Sequence, residues 1–374
     1  MDSYDVIIIG AGLAGLTAGI HLSKLGLQVM VVEKHSFPRH KVCGEYISNE
    51  VQPYMRWLDA DPSQLRPAKI SKLLFSTKTG KSFCSDLPQG GFGISRFKLD
   101  HFLYEKAISN GCMFSFSTVN EVSFNNEQFK LVTNNEQTFT SKVVLGAFGK
   151  RSNIDKSLNR SFVGKKSNWL AVKAHYSLDY PIDTVGLYNF DGGYCGVSNV
   201  EDNRVNVCYL TDYSSFSRYK NPQMFQENVM SRNPQLKQIF GNSSMLFEKP
   251  LTISQISFDR KHPVEDHILM IGDSAGLIHP LCGNGMAMAI HGAKIASELV
   301  LRFVNNDVSR FQLEETYIRS WKKQFSNRLS AGRMLAATMR NSALTQTMMG
   351  GLNLFPSFLP QIVKLTHGKP IIVS

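Results

Sequence analysis

Three glycines near the start of the chain have the spacing of a phosphate-binding turn. Gly10, Gly12 and Gly15 form G-x-G-x-x-G directly after the apolar run 4–9 and before an apolar helical pattern. In such a turn the first glycine permits a tight bend, the second lets backbone approach a pyrophosphate, and the third lets a helix pack closely on a strand. The helix then directs free N–H groups and positive dipole towards the phosphates. This spacing predicts a dinucleotide site.

An acidic residue about twenty positions further on completes the pattern. Glu33 ends a second apolar run, residues 28–32, and its carboxylate would accept hydrogen bonds from an adenosine ribose. Lys34 begins a polar, basic segment that ends at Cys43 and Gly44, and this segment would lie against the cofactor. A glycine-rich turn alone is common, but here strand, helix and acid all stand where a dinucleotide needs them.

A second glycine and acid pair lies far along the chain. Asp273 follows the apolar run 267–271, and a long apolar helix is predicted from Met286 to about residue 303. Asp273 would hold a ribityl hydroxyl, although it could instead be only a helix N-cap. The N–H groups of Gly285 and Met286 would face a ring carbonyl, where a helix N-terminus favours the negative charge of a reduced flavin. Because no second G-x-G-x-x-G offers a nicotinamide domain, the combination favours FAD.

Four sequence blocks resemble the geranylgeranyl reductase family, which belongs to the larger group of FAD enzymes that includes aromatic-ring hydroxylases. In order they are DVIIIGAGLAGLTAG…VVEK, KVCGE, ISRFKLDHFL and IGDSAGLIHPLCGNGMAMAIHGAKIASELV. The resemblance covers about residues 1–300 and implies FAD as the cofactor. It also implies contacts at the matching positions: Ala14 and Gly15 with the pyrophosphate, Glu33 with the ribose, Cys43 and Gly44 beside the flavin, Arg96 near the phosphates, Val119 on the adenine side, Asp273 with the ribityl chain, and Gly285 and Met286 with the isoalloxazine ring.

Two residues are candidates for catalysis. Cys43 is placed near the flavin by its KVCGE block, although small buried cysteines are usually inert. His279 could relay a proton beside the flavin, although a lone histidine is more often structural. Arg96 follows a glycine-rich turn and opens a helix, so it could contact a phosphate or make only a surface salt bridge.

One position departs from the hydroxylase pattern. Phe148-Gly149 stands where hydroxylases of the larger group carry Asp-Gly, a site tied to both FAD and NAD(P)H. Loss of the acid argues against fast direct reduction by NAD(P)H and fits an enzyme reduced by another donor. The electron donor, NAD(P)H or a redox protein, stays open.

The elements that must position these residues are of two kinds. Apolar runs alternating with helical patterns predict an α/β fold, with a parallel-sheet Rossmann-type FAD-binding domain. Segments alternating with period two predict an inserted antiparallel β-sheet substrate domain, followed by C-terminal helices. The boundaries are 1–48, 91–166 and 263–305 for the FAD domain, 49–90 and 167–262 for the substrate domain, and 306–374 for the helical region.

Side chains of the antiparallel segment are candidates for an apolar substrate pocket, although alternating aromatic residues are ordinarily core. They are Tyr188, Phe190, Tyr194, Cys195, Val197 and Tyr209. A helix near the C-terminus carries basic residues beside apolar ones and could lie on anionic lipid, or could simply have a solvated face. Its residues are Arg319, Lys322, Lys323, Arg328, Leu329, Arg333, Met334, Leu335, Met339 and Arg340, and the tail 352–363 could join it.

Composition limits the class of protein. The chain has 374 residues, 43% of them hydrophobic and 19% charged, which indicates globular, intimately joined domains. A net charge of +11 suggests anionic partners, but no nucleic-acid motif accompanies it. Six cysteines without metal-ligand spacing predict reduced thiols, no metal and a cytoplasmic protein. The first apolar run contains Asp5 and is interpreted as a buried strand rather than a signal peptide, and no apolar run approaches transmembrane length.

These features predict an FAD-dependent oxidoreductase. The leading hypothesis is reduction of carbon–carbon double bonds in an isoprenoid or lipid-like substrate by hydride transfer from reduced flavin, at the cytoplasmic side with peripheral membrane contact as an option. The alternatives are a monooxygenase that hydroxylates an aromatic or quinone-like substrate, and an electron-transfer flavoprotein with no substrate pocket. The expected partner is a small apolar molecule and not nucleic acid.

Overall fold

Two β-sheets organise the chain in the computed structural model, which describes residues 2–340 and 358–373. The strands are β1 (Asp2–Ile9), β2 (Val29–Val32), β3 (Tyr46–Ser48), β4 (Ala68–Ser76), β5 (Ser82–Gly93), β6 (Met113–Ser115), β7 (Val119–Asn125), β8 (Gln128–Thr133), β9 (Thr138–Gly146), β10 (Trp169–Ser177), β11 (Thr184–Phe190), β12 (Gly193–Asn199), β13 (Val205–Asp212), β14 (Ser244–Met245), β15 (Leu251–Ser254), β16 (Val264–Glu265) and β17 (Ile268–Met270). The helices are α1 (Leu13–Lys24), α2 (Gln52–Trp57), α3 (Arg96–Ser109), α4 (Asn153–Ser157), α5 (Tyr213–Ser217), α6 (Pro222–Asn228), α7 (Pro234–Gly241), α8 (Gly285–Val304), α9 (Arg310–Arg340) and α10 (Phe358–Thr366).

The first sheet has the order β16-β17-β9-β1-β2-β6, with β7 and β8 attached beside β9. Strands β17, β9, β1, β2 and β6 run parallel, so their carboxyl ends meet at one edge. Ile9 pairs with Val32 on one side and Gly146 on the other, which brings the residues after all three strands together. Helix α1 packs on β1 and β2 of this sheet, and α8 packs against α1. The predicted α/β fold with a parallel sheet is confirmed.

The second sheet has the order β14-β10-β13-β12-β11-β4-β5-β3 and is antiparallel except where β11 pairs with β4. One face is covered by α6 and α7 around Phe225 and Leu236. The opposite face looks towards the first sheet. Strand β3 pairs with the end of β5 in the second sheet, although residues 46–48 and 91–93 fall in the predicted FAD domain. The predicted domain boundaries stay a prediction.

Two local expectations were wrong. Gly91 and Gly93 end β5 instead of forming a turn before Arg96. A Cβ on Gly91 would collide with the backbone of Ile47 in β3, and one on Gly93 with the backbone of Asn199 in β12. Arg328 of α9 points inwards and pairs with buried Glu50 (3.2 Å), so it does not belong to an exposed basic face. The side chains of Met339 and Arg340, and residues 352–357 of the tail, lie outside the described residues.

In the described part of the chain, every helix is too short or too polar to cross a membrane.

Candidate functional site

A cavity of about 1000 Å³ runs from the carboxyl edge of the first sheet to the inner face of the second sheet. It brings together most of the residues predicted as binding or catalytic. Those that line it are Gly10, Gly12, Ala14, Glu33, Lys34, Cys43, Gly44, Arg96, Val119, Asp273, Gly285 and Met286. Gly15 and His279, both of which are described, lie behind its wall.

The turn between β1 and α1 accepts only glycine at two positions. Gly10 has φ of +102°, and a Cβ built on it would lie 2.5 Å from the oxygen of Ala147. A Cβ on Gly15 would lie 2.0 Å from the oxygen of Gly10. Gly15 therefore packs α1 against β1. The contacts that Ala14 and Gly15 would make with a pyrophosphate stay a prediction.

The N-terminus of α1 is open to an anion. Gly12, its N-cap, has no side chain to occupy the first N–H groups, and a Cβ placed there would meet only Arg96 Nη2 at 4.0 Å. Arg96 is held by Asp100 through two bonds, Nε to Oδ1 at 2.6 Å and Nη2 to Oδ2 at 2.8 Å. Lys41 Nζ lies 2.7 Å from the same carboxylate. A helix terminus facing two buried cations suits a pyrophosphate.

Asp100 stays charged although it is fully buried. Burial opposes its ionisation, but Arg96 and Lys41 outweigh burial and hold the pKa of Asp100 below its usual range. The same pairing raises the pKa of Arg96 despite burial, so its guanidinium is permanently charged. The salt bridge of Arg96 is thus a buried one that aims the side chain at the turn, not a surface contact.

Glu33 stands at the end of β2, where an adenosine ribose would lie. Its Oε2 accepts the N–H of Ala11 at 2.8 Å, and its Oε1 accepts the N–H of His35 at 3.1 Å. Arg39 Nη2 is 3.4 Å from Oε1. The carboxylate is fixed by these donors and borders the cavity, so its remaining acceptor capacity can serve ribose hydroxyls.

The other end of the cavity is built by the start of α8. The side chain of Asn284, the N-cap residue, donates to Glu50 at 3.2 Å, which leaves the N–H groups of Gly285 and Met286 directed at the cavity. Met286 Sδ is 3.5 Å from Cys43 Sγ. Asp273 borders the same region, and its backbone oxygen accepts Lys261 Nζ at 2.8 Å. Asp273, Cys43 and Met286 therefore line the same cavity, and their contacts with a flavin stay a prediction.

Phe148 borders the cavity in place of the acid found in the hydroxylases. Gly149 takes φ of +85°, and its N–H donates to Ser274 Oγ at 2.8 Å. Lys261 joins this loop to the Asp273 turn by donating also to the oxygen of Lys150 at 2.9 Å. Burial lowers the pKa of Lys261 to about 8. The loop keeps its shape without a carboxylate.

His279 packs in a cluster of aromatic rings. Its ring centroid lies 4.7 Å from that of Phe258, 5.7 Å from Trp169 and 6.0 Å from Tyr194. Its Nδ1 accepts the N–H of Leu281 at 3.4 Å. Proton relay by His279 stays a prediction, with Tyr194 between it and the cavity as the group that would have to carry the proton further.

Five of the six residues predicted to line a substrate pocket pack in the core under α6 and α7. Tyr188, Phe190 and Cys195 belong to the core under α6 and α7, because in a strand alternate residues point to opposite faces. Tyr194 lines the cavity, and Val197 and Tyr209 border it while also packing in that core.

A largely aliphatic chamber, defined here by the residues that follow, forms the far end of the cavity. Strands β4, β5 and β11 supply one wall, and α10 supplies the other. The side chains are Leu73, Phe75, Leu87, Val185, Leu187, Leu359, Ile362 and Val363. Sequence reasoning missed α10 because nothing local in residues 358–366 indicates which surface it covers.

A buried ionic group was also missed. Glu45 accepts Lys173 Nζ at 2.7 Å and interacts with His175 Nε2 at 2.6 Å, and all three side chains are at most 1% exposed. The available signal was Lys173 and His175 alternating with apolar residues in a predicted strand, which puts both on one face.

These features fit FAD. The glycine turn and α1 terminus suit its pyrophosphate, Glu33 its ribose, and the α8 terminus its ring. The sequence pattern of a protein family described as FAD binding domain matches residues 3–303. The predicted cofactor, FAD, is confirmed.

Curated relatives and solved structures similar to this chain include several flavin-dependent proteins. The digeranylgeranylglycerophospholipid reductase of Methanosarcina acetivorans is 24% identical over 343 residues, covering 86% of this chain and 81% of that protein. Conditioned medium factor receptor 1 of Dictyostelium discoideum is 24% identical over 361 residues, covering 87% and 69%. The flavin-dependent brominase Bmp2 has a similar fold, with a TM-score of 0.81, 20% identity and coverage of 97% and 93%. The flavin-dependent halogenase CmlS has a TM-score of 0.80 with 19% identity, covering 100% of this chain and 74% of its own. The predicted resemblance to geranylgeranyl reductases is confirmed, and the halogenases share the fold.

Proposed function

The chain belongs to the FAD binding domain family, and on that premise we propose that it reduces carbon–carbon double bonds of an isoprenoid or another lipid-like substrate. The observation that carries the proposal is the aliphatic chamber beyond Cys43 and Met286. A site for a small polar aromatic substrate needs polar groups to orient it, whereas this chamber offers Leu, Ile, Val and Phe side chains on both walls. An unbranched or methyl-branched hydrocarbon chain suits such a surface.

The chain's own residues bind, orient and exclude water. Arg96, Glu33 and the α1 terminus would hold the nucleotide part of the cofactor. The α8 terminus would hold its ring end near Cys43. When bound, the cofactor would supply a hydride, which carries both electrons, to one alkene carbon. Apolar walls keep water and oxygen away from the reacting carbon.

A proton must reach the second alkene carbon. Cys43 borders the cavity and its Sγ lies 3.5 Å from Met286 Sδ at the start of α8, which makes it the proposed donor. His279, screened by Tyr194, is a less direct second choice. Neither role depends on which molecule reduces the flavin. Phe148 stands where the hydroxylases carry an acid, and the loss of that acid favours a redox protein over NAD(P)H as the electron donor.

The second candidate is oxidation or halogenation of an aromatic substrate, favoured by the fold shared with Bmp2 and CmlS. The Tyr194 ring lines the cavity and could stack on such a substrate. A third candidate, an electron carrier without a substrate, leaves the chamber unexplained.

Anaerobic single-turnover measurements distinguish these functions. The holoprotein is reduced with dithionite and mixed with a polyprenyl glycerophospholipid, while flavin absorbance is followed. We expect reoxidation by the alkene and a lipid product heavier by two hydrogens for each bond reduced. The matched control is the fully saturated lipid, which should leave the flavin reduced.

A contrary outcome is equally clear. Failure of every polyprenyl lipid to reoxidise the protein, together with a hydroxylated or halogenated product from oxygen, halide and a phenol, would establish the second candidate instead. Reoxidation only by redox proteins would leave an electron carrier.

Contact with a membrane surface belongs to the same proposal, because a lipid substrate must leave a bilayer. Arg319, Lys322 and Lys323 of α9 are exposed, and so is Met334. Sedimentation with anionic liposomes at low salt tests this contact. Charge reversal at Lys322 and Lys323 should abolish it, and a protein that stays in the supernatant counts against it.

A further inference from the structure

The segment Cys43-Gly44-Glu45 is held from the second sheet. Asn206 Nδ2 donates to the oxygen of Gly44 at 2.9 Å and to the oxygen of Cys43 at 3.2 Å. Lys173 and His175 hold the side chain of Glu45, as described above. These partners are 128 to 163 residues away along the chain. The segment that lines the flavin end of the cavity is therefore fixed by residues of the substrate domain.

The three partners form one polar patch on an otherwise apolar sheet. His175 of β10 stands directly opposite Asn206 of β13, and Lys173 stands opposite Cys208. Since side chains on one face recur every second residue, these four side chains share the face that looks towards the first sheet. Both Lys173 and Asn206 are almost completely buried, at 0% and 1% exposed.

The first sheet side also contributes. Arg96 donates its backbone N–H to Glu45 Oε1 at 2.8 Å, and Ile94 donates its N–H to the backbone oxygen of Glu45 at 3.0 Å. Glu45 has φ of +56°, a conformation that a non-glycine residue adopts only when its surroundings impose it. Burial opposes its ionisation, yet Lys173 and His175 keep the pKa of Glu45 below its usual range.

We propose that Lys173, His175 and Asn206 are positioning residues for the flavin, because they hold Cys43-Gly44-Glu45 in the shape that the bound ring needs before the cofactor arrives. The second sheet then completes the cofactor site as well as forming the substrate chamber. This proposal requires FAD as the cofactor but does not require alkene reduction. If alkene reduction is disproved, the positioning role can still hold, and if the positioning role is disproved, alkene reduction can still hold.

The two contributions differ in kind. Asn206 holds the backbone of Cys43 and Gly44 through neutral hydrogen bonds. Lys173 and His175 hold the side chain of Glu45 through charge. Loss of either frees a short loop whose ordering must then be supplied by FAD binding itself, which weakens the affinity.

The test is FAD binding to the apoprotein, measured by titration with flavin fluorescence and visible circular dichroism. Asn206→Leu removes both donors with little change in volume, and we expect the Kd for FAD to rise at least about tenfold, equal to about 1.4 kcal/mol. Asn206→Asp adds a negative charge facing two carbonyl oxygens and should raise the Kd for FAD further. In both variants the dichroism of bound flavin should change shape, because the ring environment changes.

Asn189→Leu is the matched control. Asn189 is a buried amide of the same sheet, 8% exposed, and it donates to the oxygen of Ser76 at 2.7 Å, away from the cavity. The melting temperature of this variant should fall as it does in the Asn206 variants. Its Kd for FAD and the dichroism of its bound flavin should equal those of the wild type. A role in stability alone predicts instead that all three variants behave alike.

Hydrogen exchange of the wild-type apoprotein tests the proposal even if the variants fail to fold. The amides of Ile94 and Arg96, which donate to Glu45, should already be protected without FAD, and adding FAD should change their exchange rates little. Protection that appears only with FAD would overturn the proposal. So would Asn206→Leu binding FAD with wild-type affinity and dichroism.

Discussion

The two ends of the cavity are built in opposite ways. At the nucleotide end, Gly10, Gly12, Gly15 and Glu33 lie within two dozen residues and act through backbone geometry and one carboxylate. At the other end, the aliphatic chamber takes side chains from β4, β5, β11 and α10, which span residues 73–363. The nucleotide end tolerates little change because a main-chain turn leaves no room. The chamber can be reshaped one side chain at a time, so substrate choice can vary while the cofactor stays the same.

The largest expected effect concerns the turn. Gly15→Ala places a Cβ about where the oxygen of Gly10 lies, so α1 must shift away from β1, at a cost of about 1–3 kcal/mol. We expect purified protein without retained FAD, measured by absorbance at the flavin band. Gly241→Ala, where the added Cβ meets nothing within 4 Å, is the control and should stay yellow. A Gly15→Ala protein that retains a full load of FAD would show that the nucleotide end of the cavity tolerates substitution.

A smaller loss is expected at the phosphates. Arg96→Met removes a charged donor beside the α1 terminus and leaves Asp100 with Lys41 alone, so the Kd for FAD should rise about 10- to 100-fold, equal to about 1.5–3 kcal/mol. Calorimetric titration of the apoprotein measures it. Arg56→Met removes an exposed cation paired with Asp61 and should change nothing. Equal affinity in the two variants would place the phosphates elsewhere.

A substitution in the aliphatic chamber should affect substrate reduction and leave FAD binding unchanged. Leu187→Trp fills part of it while leaving the nucleotide end untouched, so FAD affinity should stay constant and reduction of a polyprenyl lipid should fall about tenfold in kcat/KM. Ile182→Trp, at a position 63% exposed, is the control for bulk alone. If Leu187→Trp lowers FAD content instead, the two ends are not independent.

The smallest effect is on stability in acid. Burial lowers the pKa of His21 to about 4, and His21 bonds Tyr54 Oη through Nδ1 at 2.6 Å. The unfolded chain, with a histidine pKa near 6.5, binds the proton first, so stability is complete above pH 6.5 and falls as pH drops towards 4. At pH 5.5 His21 should cost about 1 kcal/mol relative to pH 7.5.

His21→Leu tests this by removing one titrating group. Its melting temperature should depend less steeply on pH between 6.5 and 4 than that of the wild type. His40 and His291, whose pKa values burial also lowers to about 4, keep the remaining slope. An unchanged slope would mean that His21 is already protonated in the folded protein.

Prediction from sequence succeeded where the structural reason is local. The strand, turn and helix around Gly10–Gly15 are contiguous, and Glu33 follows at a distance set by one βαβ unit. The register of β1 with β2 then needs no information from elsewhere. Asp273 and Met286 were singled out because they repeat the same strand-to-helix transition after β17, another parallel strand of the same sheet.

It failed where facing directions and distant partners decide. Tyr188 and Tyr194 both belong to aromatic alternating strands, but only Tyr194 faces the cavity, since hairpin register assigns the faces. Arg328 has the pattern of an exposed helix cation, yet Glu50, 278 residues away, draws it inside.

By itself the sequence determined the cofactor, the parallel sheet that holds it and the order of the contacts along it, because a dinucleotide is recognised by main-chain turns at the ends of adjacent strands. Only the tertiary structure decided what lies beyond the ring. The aliphatic walls and the Glu45, Lys173, His175 and Asn206 contacts join residues more than a hundred positions apart, and such contacts depend on sheet register and on how the two sheets pack.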